Sequence, residues 1–277
     1  MKSKHNINEL IRNYSPPSAK SKEEAWKELS SKMQKEQPKR NIKKWMFAAA
    51  SVLAAAVLFA VLADSFLFVK KYSTGFGEQE TVLLRDESEV VLAPNSEIRV
   101  NYSFLDGKRK LALSGQALFQ VEPGREFTVK FNKGKVTVLG TRFTVKAYSN
   151  LQSEVKCLSG SVKVESGNMN SLLEKGEGVI VEKKSELKPI EVEEQKALEE
   201  VKGVFSWQNE SLNRIFKTLE ARLGYTVKAG EKLRNRKFTG EINMNEILSA
   251  GEILAFAMDV NYSVDHQNQI ITFEEKE

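Results

Sequence analysis

From Trp45 to Ala63 the chain runs nineteen residues without a charge, and no other feature limits its possible folds so strongly. A helix of that length spans roughly 28 Å, close to the ~30 Å hydrocarbon core of a bilayer. Buried helices of soluble domains are usually shorter and keep a polar stripe, and this run has none before Asp64. It therefore reads as one membrane-spanning helix over residues 45–69, with Trp45 at one interface and Phe66 and Phe68 at the other. Asp64 at mid-bilayer would cost on the order of 3 kcal/mol, but near the end of the span it reaches the headgroups. Cleavage after Ala63 is disfavoured, because both the run and the 44 residues before it are too long for a signal peptide.

Sidedness follows from the cations at each end. Lys32, Lys35, Lys39, Arg40, Lys43 and Lys44 precede the run, whereas only Lys70 and Lys71 follow it closely, which places the N-terminus in the cytoplasm. The formal charge of +5 is concentrated there: residues 1–44 carry twelve Lys/Arg against five Asp/Glu. A basic juxtamembrane segment suits anionic lipid better than nucleic acid, so no direct nucleic-acid partner is expected. Cys157 is the single cysteine, which excludes an intrachain disulfide, and it reads as a buried strand residue. With only His5 and His266, a metal cluster is not expected, and no cofactor motif is present. Neither a His-based triad nor a phosphate loop occurs, so the chain does not read as an enzyme.

The cytoplasmic segment, residues 1–44, reads as two short amphipathic helices around a break at Pro16-Pro17. Ile7, Leu10, Ile11 and Tyr14 follow one helical stripe. Ser21 and Glu24 make a capping-box signature, and Ala25, Trp26, Leu29 and Met33 line one face of the second helix. So few apolar side chains cannot build a core, so the stripe needs an outside surface, either a partner groove or the membrane.

After Lys71 the period changes to two. Runs such as "TVLLRD", "EVVLAP", "EFTVKFNKG", "TRFTVKAY" and "SVKVESG" recur every eight to twelve residues, which predicts an all-β sandwich, barrel or solenoid over residues 70–184. Asp106-Gly107, Asn132-Lys133-Gly134 and Ser159-Gly160 are expected to be hairpin turns. The last strand is expected to start near Gly176-Glu177-Gly178. Residues 185–203 read as a charged linker with room for one short helix. From residue 204 to 277 the order becomes βαββαββ, a small α+β domain with helices on one face of a sheet. Asn209 is expected to cap its first helix and Gly224 to stop it, with Asn243 and Glu246 a capping pair for the second. His266 falls in the final turn as a solvated loop residue.

Three stretches of the middle domain resemble the FecR-type anti-sigma factors, single-pass regulators of the Gram-negative inner membrane. They are "LLRDESEVVLAPNSEIRV", "RKLALSGQALFQVEPGREFTVKF" and "VTVLGTRFTVKAY", the last being the most specific. Residues 204 to 274 resemble the tail domain of family members that signal with outer-membrane transporters, similar to the secretin/TonB short N-terminal (STN) domain. "EEAWKELSSKM" matches more loosely. Together the likeness covers residues 22–274 in family order. Two departures stand out: Gln116 replaces a frequent Glu, which argues against proton transfer there, and Glu87 replaces a turn Gly, which suggests a different turn.

The resemblance implies that the tail holds an extracytoplasmic-function sigma factor, with Ala25, Trp26, Leu29 and Met33 as anchors. It implies that the periplasmic C-terminal domain reads the signalling domain of a TonB-dependent transporter, and that envelope proteases carry the signal across the inner membrane by cutting the chain. Some relatives self-cleave at a Gly-Thr pair, represented here by Gly140 and Thr141. The simpler reading of that pair is a tight turn or bulge followed by a strand. The alternative for the whole chain is a membrane-anchored periplasmic scaffold with no sigma factor.

Overall fold

The computed structural model describes residues 21–34, 42–67, 69–101, 109–182 and 186–276. The stripe from Ile7 to Tyr14, the Pro16-Pro17 break and the Asp106-Gly107 turn lie outside the described residues, as do the side chains of Asp64, Phe66 and Phe68. Two compact units divide the chain, Met1–Phe59 and Ala60–Glu277. The first holds α1 (Lys22–Gln34) and the greater part of α2 (Ile42–Leu67). Side chains of α2 are described for residues 45–59, and all of them are exposed. Among the described residues no helix is long and apolar enough to cross a membrane, so the single-pass expectation rests on the sequence.

In the second unit thirteen strands form one nearly closed sheet folded into two layers, a sandwich-like arrangement rather than an open solenoid. The strands are β1 (Val69–Ser73), β2 (Glu80–Leu83), β3 (Glu89–Leu92), β4 (Glu97–Asn101), β5 (Arg109–Gln120), β6 (Phe127–Phe131), β7 (Gly134–Val138), β8 (Arg142–Ala147), β9 (Ser153–Ser159), β10 (Ser161–Ser166), β11 (Met169–Glu174), β12 (Glu177–Val181) and β13 (Leu187–Glu191). One layer runs β1-β4-β5-β6-β7-β10-β11 and the other β2-β3-β5-β8-β9-β12-β13. Long β5 belongs to both. Its first half pairs with β4 and, in parallel, with β6, and its second half pairs with β3 and β8.

Gly115 makes that change of partner possible. Its φ is 97°, and a Cβ there would lie 2.6 Å from Ser96 Cα, so only glycine fits the crossing. Between the layers, alternate strand residues form one core centred on Phe119, which stacks on Phe143 at 5.0 Å and meets the edge of Phe127 at 6.2 Å. The Asn132-Lys133 turn closes a β6–β7 hairpin as expected, with Phe131 opposite Gly134. Ser159-Gly160 does not make a hairpin. β9 pairs with β8 and β12 while β10 pairs with β7 and β11, so Gly160 hands the chain from one layer to the other. The segment read as a linker, residues 185–203, carries β13, which extends the second layer beside β12, and α3 (Glu194–Lys202).

Glu87 adopts φ 66°, the left-handed geometry a glycine favours, within a turn closed by Leu84 N–H donating to Ser88 O at 2.8 Å. The turn therefore keeps glycine geometry with an exposed glutamate in it. Left-handed backbone costs a non-glycine residue about 1–2 kcal/mol, partly offset by the extra chain entropy glycine loses on folding. Glu87→Gly is thus expected to stabilise the chain by about 0.5–1 kcal/mol, read as an upward shift of about 1–4 °C in thermal unfolding. A lower melting temperature would show that the glutamate side chain contributes something the turn geometry does not reveal.

The C-terminal elements are β14 (Val204–Ser211), α4 (Leu212–Leu223), β15 (Thr226–Ala229), the single-turn α5 (Glu231–Arg234), β16 (Lys237–Asn243), α6 (Ile247–Met258), β17 (Val260–Asp265) and β18 (Ile270–Glu275). Setting α5 aside, the order is βαββαββ. The strands do not share one sheet: β14 pairs only with β16, and β15-β18-β17 form a second small sheet with β15 and β18 parallel. Ile215, Phe216, Leu219 and Leu223 of α4 and Leu254 and Met258 of α6 fill the core between these sheets with Phe273. Gly224 ends α4 at φ 74°, as expected. Asn209 does not cap that helix. It sits in a bulge of β14 at φ 49°, its N–H bonded to Thr239 Oγ1, and Ser211 occupies the cap position without a side-chain capping bond, its hydroxyl donating instead to Glu210. Nor do Asn243 and Glu246 make a box: Asn243 Oδ1 accepts from Asn245 N–H, and the Glu246 side chain caps nothing. Burial of the apolar faces, not capping, holds these two helices.

Candidate functional site

The expected partner-binding stripe lies on α1. Ser21 and Glu24 form the capping box, each side chain accepting the other's backbone N–H at 3.2 Å. Glu23 and Glu24 in the first turn and Lys32 in the last complement the helix dipole. Ala25, Leu29 and Met33 recur every four residues, and Trp26 stands beside them. Trp26 is 71% exposed and Met33 73%, and nothing among the described residues covers Leu29. An apolar stripe bearing a tryptophan and left uncovered on a helix fits either a partner groove or a membrane surface.

Gly140 and Thr141 lie between β7 and β8. Gly140 faces Pro123, whose Cα would lie 2.7 Å from an added Cβ. Buried Thr141 accepts Val121 N–H at its carbonyl, and its hydroxyl donates to Ser161 O at 3.0 Å. A register irregularity between Arg142 and Phe143 follows. The hydroxyl's partner is thus a carbonyl and not a base, and the pair lies in the connection between β7 and β8, the strand starting one residue later, at Arg142.

Two features of the second unit were not legible as sites. On β8 and β9 every second residue points away from the sandwich core, yet Thr144, Lys146, Glu154 and Leu158 are buried. Helices α3 and α4 lend charged groups to this outer face. Glu154 binds Lys146 Nζ at 2.8 Å and Arg214 Nη2 at 2.6 Å, with Lys156 Nζ at 3.7 Å. Lys156 in turn binds Glu200 at 2.7 Å, and Arg214 binds Glu210 at 2.8 Å. Burial alone would raise the Glu154 carboxyl; Lys146, Lys156 and Arg214 outweigh it and hold the group at about 2.

The second feature is Arg222, in the last turn of α4 and fully buried. Its Nη1 donates to Gln116 Oε1 at 3.0 Å and to Glu200 O at 3.4 Å, and its Nη2 to Val201 O at 3.4 Å and Asn245 Oδ1 at 3.3 Å. None of these acceptors is a carboxylate, and Nε has no hydrogen-bond partner among the described residues. Burial accordingly lowers its pKa. The positive charge is met by the last-turn carbonyls of α3, the negative end of that helix, and by the Phe205 ring 5.3 Å away. Gln116, marked in the sequence only as a departure from a family pattern, was the one signal of this pocket.

Elsewhere, α6 leaves Leu248, Ile253 and Phe256 exposed, the last at 89%. His266 is exposed in its turn, its Nδ1 2.7 Å from Tyr225 Oη. Cys157 is buried on β9, and burial first, then Glu177, pushes its thiol up to about 11. Among the described residues no group of three His, Cys, Asp or Glu side chains is arranged to hold a metal ion.

Two protein families match the chain: FecR protein over residues 70–163, and FecR, C-terminal, over residues 204–272. Two crystal structures of a candidate anti-sigma factor from Parabacteroides distasonis ATCC 8503 share the fold. Each is 21% identical with a TM-score of 0.67; the alignments cover 75% and 76% of this chain and 100% of the other. No curated protein matches the chain significantly.

Proposed function

The chain belongs to the FecR family, and on that premise we propose that it is an anti-sigma factor, a regulatory protein rather than an enzyme. The observation that carries this reading is the uncovered stripe of Ala25, Trp26, Leu29 and Met33 on a helix preceding the apolar run. Docked in a groove of an extracytoplasmic-function sigma factor, that stripe would occupy surface the sigma factor needs for core RNA polymerase. A solved structure of the same fold, described as a candidate anti-sigma factor, is in keeping with that role.

The finer parts of the proposal rest on sequence and physics. Trp45 to Ala63 supports one crossing of the inner membrane, with the tail cytoplasmic and residues 70–277 periplasmic. The C-terminal α+β domain would receive the signalling domain of a TonB-dependent transporter. A lone helix transmits a conformational change poorly, so cleavage by envelope proteases is the simpler way to free the sigma factor.

Two measurements test the reading. Reporter fusions at Met1 and Glu277 are expected in opposite compartments. Full-length protein purified from detergent-solubilised membranes is expected to carry a sigma factor, and deletion of residues 1–40 to lose it and misregulate a set of import genes. Unchanged expression after that deletion would favour the scaffold alternative.

A further inference from the structure

Helix α4 has two working faces. One gives Ile215, Phe216, Leu219 and Leu223 to the C-terminal core. The other grips the β-sandwich along its whole length. Arg214 binds Glu154, Lys217 O accepts from Asn150 Nδ2 at 3.3 Å, Ala221 O accepts from Asn95 Nδ2 at 2.7 Å, and Arg222 reaches Gln116. At its C-terminal end, Arg222 O accepts the N–H of Gly77 at 3.1 Å, and the Phe76 ring lies against Gly224. Gly77 belongs to the loop joining β1 to β2, and β1 starts two residues after α2 ends. One helix of the C-terminal domain therefore holds the tip of the loop that follows β1, the first strand after the apolar helix.

The grip is largely polar. Its apolar part is a cluster of Tyr148, Leu151 and Ala221, separate from the cores of the two domains. Open clefts of about 610 and 540 Å³, both lined by Ser149 and Asn150, flank that cluster. Interfaces of this kind part more readily than apolar ones. Arg222, buried without a carboxylate, would regain hydration on leaving its pocket.

We infer that the outer face of α4 is a release latch: displacing the C-terminal domain frees the loop tip at Phe76 and Gly77, while β1 stays paired with β4. In the latched form α4 holds the tip through Gly77 N–H on Arg222 O and Phe76 against Gly224, whereas the base of the loop is held by the sandwich itself, with Asn95 N–H on Gly75 O at 2.8 Å and Thr74 Oγ1 on Ala93 O at 2.7 Å. A protease needs several residues in an extended, unpinned conformation, so a latched loop resists cutting and a released one is a substrate. The signalling role of this step rests on the anti-sigma reading; the mechanical coupling does not.

Amide hydrogen exchange of the full chain in detergent tests the latch, comparing wild type with Arg222→Met and Arg214→Gln. Arg214 lies two helical turns from Arg222 and is 30% exposed, so R214Q decides the matter alone should R222M fail to fold. In each folded variant the Gly77 amide, which donates to Arg222 O, is expected to exchange at least tenfold faster, while those of Val129 and Ile271 in the two cores keep their wild-type rates. Unchanged loop exchange in R214Q, or acceleration shared equally by the cores, overturns the inference. Sigma-factor binding is not part of the readout, so this test can fail while the anti-sigma reading stands, and the converse.

Discussion

Replacing Glu154 by Gln is expected to lower the free energy of unfolding of the second unit by about 3–5 kcal/mol, the usual result of removing one partner from a buried ion cluster. The volume hardly changes, so no cavity arises. What changes is that Lys146, itself buried, loses its carboxylate, and Lys156 and Arg214 keep only Glu200 and Glu210. Chemical denaturation measures the loss as a lower midpoint at unchanged slope. Glu97→Gln is the control: its pairs with Lys71 and Arg99 are solvent-exposed, and a change within about 1 kcal/mol is expected. The same carboxylate sets an acid limit. Its folded pKa of about 2 lies below the ordinary 4.5, so its contribution is full above pH 4.5 and is lost as pH falls through about 2. The variant should show a flatter stability profile across that window. A variant as stable as wild type would mean that desolvation of Glu154 consumes all that its three cations return.

Trp26→Ala is expected to weaken sigma-factor binding by about 2–4 kcal/mol, or roughly 30- to 1000-fold, the range of a central aromatic anchor. Because the side chain is 71% exposed, thermal unfolding of the free protein should not move. Ser31→Ala, on the opposite face of α1, is the matched control, with affinity within about threefold of wild type. Titration calorimetry of the full chain with its sigma factor reads both. If Trp26→Ala binds within threefold of wild type, the stripe is not the contact surface, and membrane-surface binding of the tail becomes the better account of it.

How much of this was legible depended on how local each signal is. The capping box of α1 formed as written because nothing else competes for Ser21 and Glu24. The caps expected at Asn209 and Asn243 did not form, because strand pairing and a turn took those residues first. Alternation identified strands but not their neighbours. β10 follows β9 directly yet pairs with β7, so the Ser159-Gly160 turn, a sound hairpin signal on its own, became a crossing between layers. Charge on a strand reads as a wet face, and Glu154 and Lys146 were hidden for that reason. Their strands are covered on the outer side by helices more than forty residues further along the chain.

The sequence by itself determined the nineteen-residue uncharged run, the register of apolar positions on each strand, the exposed stripe of α1 and the helices of the C-terminal domain. Each follows from interactions within a turn or two of chain, so residue order suffices. Only the tertiary structure decided that β5 serves two layers, that a buried Arg222 faces Gln116 and the end of α3, and that α4 holds the tip of the β1–β2 loop. Those contacts join residues up to 145 positions apart, as Arg222 and Gly77 are, and a pairing at such range is chosen by which surfaces the whole fold brings together.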